Sequence, residues 1–106
     1  MSGLSEQEFR VKSDHALQEA RRTLLPLADA EGFEIELQNG VLDLIFEEPR
    51  ESKFVVSPNA PVRQIWVSAM SRSFKLSWDA PAEAFSLNGE TLPRLLDRLA
   101  REFVAS

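Results

Sequence analysis

Cysteine is absent from these 106 residues. That single fact removes disulfides, thiol nucleophiles, persulfide carriers and thiolate-ligated iron–sulfur clusters. Histidine occurs once, as His15, so a zinc site of ordinary ligand type lacks its donors. Any metal bound here has to be held by carboxylates, which suit hard or borderline cations in weak, partly hydrated sites. No run approaches the ~20 apolar residues of a membrane-spanning helix. The N-terminal stretch MSGLSEQEF has no basic segment followed by an apolar one, so it does not read as a signal peptide, and the chain is expected in the cytoplasm. Basic surplus is missing too. A net charge of −5 leaves no footprint for phosphate backbones and excludes nucleic acid as the main partner. There is no glycine-rich phosphate loop, no nucleophile with a plausible base, and no carboxylate pair placed for acid–base work. The chain does not read as an enzyme.

What is present is ordinary for one compact domain: 43% apolar and 27% charged residues, without repeats or linkers. The most informative stretch runs from Pro61 to Trp78. Ile65, Val67 and Ala69 alternate with Gln64, Trp66 and Ser68, then Phe74, Leu76 and Trp78 alternate with Ser73, Lys75 and Ser77. A period of two predicts two strands with one buried and one solvated face. Trp66 then stands on the polar face, where packing alone would not put it, and is a candidate partner contact. Packing against Lys75 is the competing reading. Phe74 and Trp78 read as core, Met70 as turn filler.

Upstream, Phe9, Ala16, Leu17, Ala20, Leu24 and Leu27 recur at helical spacing, and Ser5 with Glu8 forms a capping box. Pro26 predicts a kink or an ending near Leu25, and Gly32 closes the segment. Phe33–Leu37 and Val41–Glu47 alternate around Asn39-Gly40, a strong hairpin turn signal. Lys53–Ser57 predicts a short third strand, and Ser57 to Pro61 a bend or bulged edge. Ala84–Leu87 predicts a sixth strand before the turn Asn88-Gly89. Leu92, Leu95, Leu96, Leu99 and Phe103 then mark a last helix, capped by Thr91 with Pro93 in its first turn. The fold class is α+β: a two-layer sandwich in which an antiparallel sheet of five to six strands is covered on one face by N- and C-terminal helices.

Charge is segregated along the chain. Residues 29–51 hold Asp29, Glu31, Glu34, Glu36, Asp43, Glu47, Glu48 and Glu51 against Arg50 alone, while residues 52–78 hold Lys53, Arg63, Arg72 and Lys75 and no acid. Glu34 and Glu36 share a strand face, their carboxylates roughly 7 Å apart. Asp43 on the paired strand is placed to join them. Close like charges call for a cation or a basic partner, although a solvated, solubilising surface explains the same run. Gln64 beside Trp66 offers a donor and an acceptor. Arg63 and Arg72 suit acidic partner surfaces, with solubility as the alternative. His15 reads as a surface residue.

Three segments, NGVLDLIF at 39–46, PVRQIWVS at 61–68 and NGETLPRLL at 88–96, in this order of elements resemble the frataxin family in its bacterial, CyaY-type branch, over roughly Ser5 to Phe103. The resemblance implies a protein of iron–sulfur cluster assembly that binds ferrous and ferric iron weakly through surface carboxylates. It further implies docking on the cysteine desulfurase and the scaffold protein, with modulation of the rate of cluster synthesis. The family's acids lie along the first helix and first strand; carried onto this chain they are Glu19, Asp29, Glu31, Glu34 and Glu36. Its partner face surrounds the Trp, here Trp66 with Gln64, Arg63, Arg72 and Lys75. Arg21, Arg22, Leu25 and Pro26 stand where bacterial members carry acid runs. The expected state is a monomer when iron-free. The alternative function is iron storage or iron oxidation with iron-driven oligomerisation; a third reading is an interaction module with no iron role.

Overall fold

The structure, a computed structural model, describes residues 3–106; Met1 and Ser2, which open the N-terminal stretch read above, lie outside the described residues. Ser5 starts α1 (Glu6–Glu31) as the capping box predicts: its Oγ accepts from the Glu8 N–H at 3.1 Å, and its own N–H donates to Glu8 Oε1 at 2.9 Å. Gly32 ends the helix in the left-handed region at φ 83°, its N–H donating to the Ala28 carbonyl.

Seven antiparallel strands follow in a simple meander, each pairing with the next: β1 (Glu34–Gln38), β2 (Val41–Phe46), β3 (Ser52–Asn59), β4 (Gln64–Ala69), β5 (Arg72–Asp79), β6 (Ala84–Leu87) and β7 (Glu90–Thr91). A turn of 3₁₀ helix over Ala60–Val62 separates β3 from β4, and α2 (Leu92–Val104) closes the chain. The α+β sandwich is as expected, with seven strands instead of five or six. The additional strand exists because the turn at Asn88-Gly89, both residues at positive φ, folds the chain back so that Glu90 and Thr91 pair with Leu87 and Ser86 before α2 begins. Thr91 precedes α2 as expected, but its hydroxyl makes no capping hydrogen bond.

Two further expectations are corrected. Pro26 does not end α1, which runs five residues beyond it to Glu31. Pro26 and Arg22 are both exposed, so the Arg22 carbonyl left without an intrahelical donor is reachable by water, while Leu27 and Ala28 are buried and hold the last turn down. Likewise, Ser57–Asn59 do not leave the sheet: β3 continues through Pro58 opposite Ile65 and Asn59 opposite Gln64. The β2–β3 ladder stops at Leu42–Val56, so beyond Val56 one side of β3 has no neighbour and a residue without an N–H is tolerated.

Both helices lie on one face of the sheet. The core between the layers joins Phe9, Leu17 and Leu24 of α1 to Leu95, Leu99 and Phe103 of α2 and to the inward residues of the strands, among them Leu44, Phe46, Phe54, Ile65, Val67 and Leu76. Phe46 is its hub, with ring centroids 4.6 Å from Phe33, 4.8 Å from Phe54 and 4.7 Å from Phe103. Trp78 and Phe74 are half-buried and pack against this core.

A proline inside a helix costs ~3 kcal/mol, offset in part by its stiffening of the unfolded chain. Pro26→Ala should therefore raise stability by about 1–2 kcal/mol in urea unfolding. An unchanged or lower midpoint would show that the chain needs the proline there.

Candidate functional site

The helix-free face of the sheet is built from the outward residues of β1 to β5. Register places Ser57, Trp66 and Lys75 side by side on β3, β4 and β5. Trp66 is 37% exposed, one of three large hydrophobic side chains so exposed among the described residues. Its indole N–H donates to Gln64 Oε1 at 2.9 Å, and Gln64 Nε2 donates to Ser77 Oγ at 3.4 Å. Lys75 Nζ lies 4.9 Å from the Trp66 ring centroid. The ring is thus held in one orientation with its polar atom already satisfied. What it offers a partner is apolar area, flanked by the Lys75 ammonium and serine hydroxyls.

Gln64, Trp66 and Lys75 are brought together; Arg63 and Arg72 are not part of that cluster. Arg63 takes a left-handed backbone (φ 54°) after the 3₁₀ turn, and its guanidinium folds back onto the Ala60 carbonyl, with Nε buried and unpaired. Arg72 shares the inward parity of Phe74 and Leu76. Its guanidinium pairs with Glu102 of α2 at 3.2 Å and sits 5.4 Å from the Phe74 ring centroid.

The acidic residues form a second region where α1 meets β1. Glu19 is engaged by Arg22 one turn on, and that hydrogen bond holds its carboxyl below the usual glutamate value. Asp29 and Glu31 are exposed at the C-terminal end of α1, whose last turn carries no basic residue, so they add to the negative end of the helix dipole. Glu34 and Glu36 project from β1 onto the helix-free face and have no ion pair among the described residues. Glu36 is paired across the ladder with Asp43, whose Oδ1 is buried and lacks a hydrogen-bond partner. Among the described residues no three of His, Asp and Glu converge closely enough to hold a metal ion between them. The region can hold a cation through two carboxylates at a time with water completing the shell, or receive a basic protein surface. His15 is exposed on α1 and lines, with Glu19 and Glu36, the groove between α1 and β1.

Two features of the acidic region follow from the sequence. The loss of Glu19 to Arg22 follows from a spacing of three on a helix. Asp43 follows from the two-residue turn that fixes the β1–β2 register.

A family model described as a Frataxin-like domain matches residues 2–105. The chain is similar to the iron–sulfur cluster assembly protein CyaY of Cupriavidus necator, 30% identical over 94 residues, covering 87% of this chain and 83% of that protein. The CyaY protein of Pseudomonas aeruginosa is 35% identical over 78 residues, 70% of each chain. That of Cupriavidus metallidurans is 33% identical over 76 residues, 70% of this chain and 67% of the relative.

Proposed function

The chain belongs to the frataxin family, and on that premise we propose that it is a non-enzymatic adaptor of iron–sulfur cluster assembly that docks on the cysteine desulfurase and its scaffold protein. The role in cluster assembly is that of its CyaY relatives. The observation that carries the docking reading is Trp66, exposed on the one sheet face that no helix covers and fixed there by Gln64 beneath Lys75. An ordered aromatic needs to lose little conformational freedom on binding, which is what an interface anchor requires. The acids Asp29, Glu31, Glu34 and Glu36 give the same molecule a negative end suited to a basic patch on the desulfurase.

Iron enters as cargo. Glu36 and Asp43, adjacent across β1 and β2, with Asp43 Oδ1 lacking a hydrogen-bond partner, are the pair best placed to hold a hydrated ferrous ion, with Glu34 beside them on β1. Glu19 contributes little while Arg22 occupies it. Arg21 and Arg22 make the helix side of this region unsuited to accumulating many ions, which favours an adaptor over a storage protein.

Two measurements test these statements. Affinity for the purified desulfurase–scaffold complex should fall by about 2 kcal/mol, roughly 30-fold, in Trp66→Arg; unchanged affinity would remove the sheet face from the interface. Ferrous iron titrated anaerobically should broaden amide signals at residues 34–36 and 43, spare those around Glu19, and reach Glu19 once Arg22→Ala frees it. Broadening that ignores Glu34→Lys/Glu36→Lys, or iron-driven oligomers consuming oxygen when the titration is repeated in air, would contradict this placement.

A further inference from the structure

β1 ends the sheet on one side. Its two-residue turn makes Gln38–Val41 the closing hydrogen-bonded pair of the hairpin, so alternation directs the main-chain groups of Glu34, Glu36 and Gln38 toward β2 and those of Ile35 and Leu37 toward the free edge. That edge is guarded only by the like charges of Glu34 and Glu36: β1 reads EIELQ, without lysine, proline or bulge. At the far side of the sheet, by contrast, the last strand is two residues long and runs straight into α2. Between α1 and the β1 edge lies an open groove of about 760 Å³, floored by Leu25, Ile35 and Leu37, which are half-buried, with His15, Glu19, Arg21 and Arg22 on its helix wall.

We propose that the free edge of β1 binds an extended segment of a partner protein by strand addition, and that this segment alternates basic with aliphatic residues. An added strand presents its side chains alternately to the two faces of the sheet. On the helix-free face they stand opposite Glu34 and Glu36, which have no cation of their own, and there a lysine or arginine is favoured. On the other face they enter the groove over Leu25, Ile35 and Leu37. Apolar side chains gain there against Leu25, Ile35 and Leu37; the acid on the helix wall, Glu19, is already taken by Arg22, and the exposed Arg21, which has no ion pair among the described residues, repels a second cation. The two demands fix the register of the incoming segment, because a slip of one residue would put its bases into the groove. A second copy of this chain is a poor occupant. Antiparallel pairing of β1 with itself sets Glu34 and Glu36 against the same acids with nothing on β1 to neutralise them. The inference rests on the reading that this acidic edge meets a basic partner, and adds how it does so: through the main chain of Ile35 and Leu37.

The test uses the whole protein and a capped seven-residue peptide alternating lysine and valine. Two variants of the peptide carry N-methyl groups, either on the valines or on the lysines. The parent peptide should slow hydrogen exchange of the Ile35 and Leu37 amides by about tenfold or more. One methylated variant should lose this effect and the other keep it, since only one edge of the peptide faces β1. Binding by both variants equal to the parent would overturn strand addition while leaving an acidic edge that attracts basic partners. Loss with both variants would overturn it as well. Absence of any binding by the parent would count against both readings. Protection of Ile35 and Leu37 that grows with protein concentration and no peptide would assign the edge to a second copy and overturn the proposal.

Discussion

Everything in this structure depends on the sheet being buried from one side only. Phe46 stands where that burial is densest, touching Phe33 ahead of β1, Phe54 on β3 and Phe103 on α2. Each such aromatic contact adds ~0.5–1.5 kcal/mol beyond area burial and does so only in defined orientations. The cluster therefore fixes the C-terminal helix against strands two and three. A second contact, Phe9 of α1 edge-on to Phe85 of β6 at 5.6 Å, ties the N-terminal helix to the far strands. With both helices committed to one face, the other is left to water along its whole width. Trp66 is exposed because of where Phe46 and Phe9 are buried.

That bare face is electrically divided. β1 and the outward side of β2 carry Glu34, Glu36 and Asp43; β3 and β5 carry Lys53 and Lys75, with Trp66 between them. A partner meeting the face finds acids at one end and an aromatic under a lysine at the other. Such a surface favours one docking orientation over its reverse. The α1 side departs from an acidic ridge at Arg21 and Arg22, and the departure has a structural consequence: Arg22 takes up Glu19, so the negative region begins at the C-terminal end of α1. The acids still free are those nearest the edge of the sheet.

Much of this was legible in the residues. Strict alternation in Gln64–Ala69 and Ser73–Trp78 gave the faces of these side chains correctly, and with it the joining of Gln64, Trp66 and Lys75. The Asn-Gly turns at 39–40 and 88–89 fixed both hairpins because their positive φ values admit few other residues. Two of the misses share a cause. Pro26 and the paired Ser57–Asn59 are places where burial or a vacant ladder side outweighs local preference, and local preference is what a sequence displays. The two-residue β7 follows from the Asn88-Gly89 turn itself and is too short to show a period. Arg72 is different: its inward parity with Phe74 was readable, but its partner Glu102, thirty residues away on α2, was not. The arrangement of the acids was the least legible, since convergence of carboxylates depends on register and on which acids a neighbouring arginine removes.

The central claim, that the helix-free face is where this protein acts on the assembly machinery, is met most directly by the rate of cluster formation. A reconstituted desulfurase and scaffold would be followed by visible absorbance with the protein, with Trp66→Arg, and with Arg101→Ser on the exposed side of α2. The account predicts that the protein shifts the rate, that Arg101→Ser shifts it equally, and that Trp66→Arg, still folded, leaves it where it stood. A Trp66→Arg protein that acts as the unchanged chain does would place the working surface elsewhere.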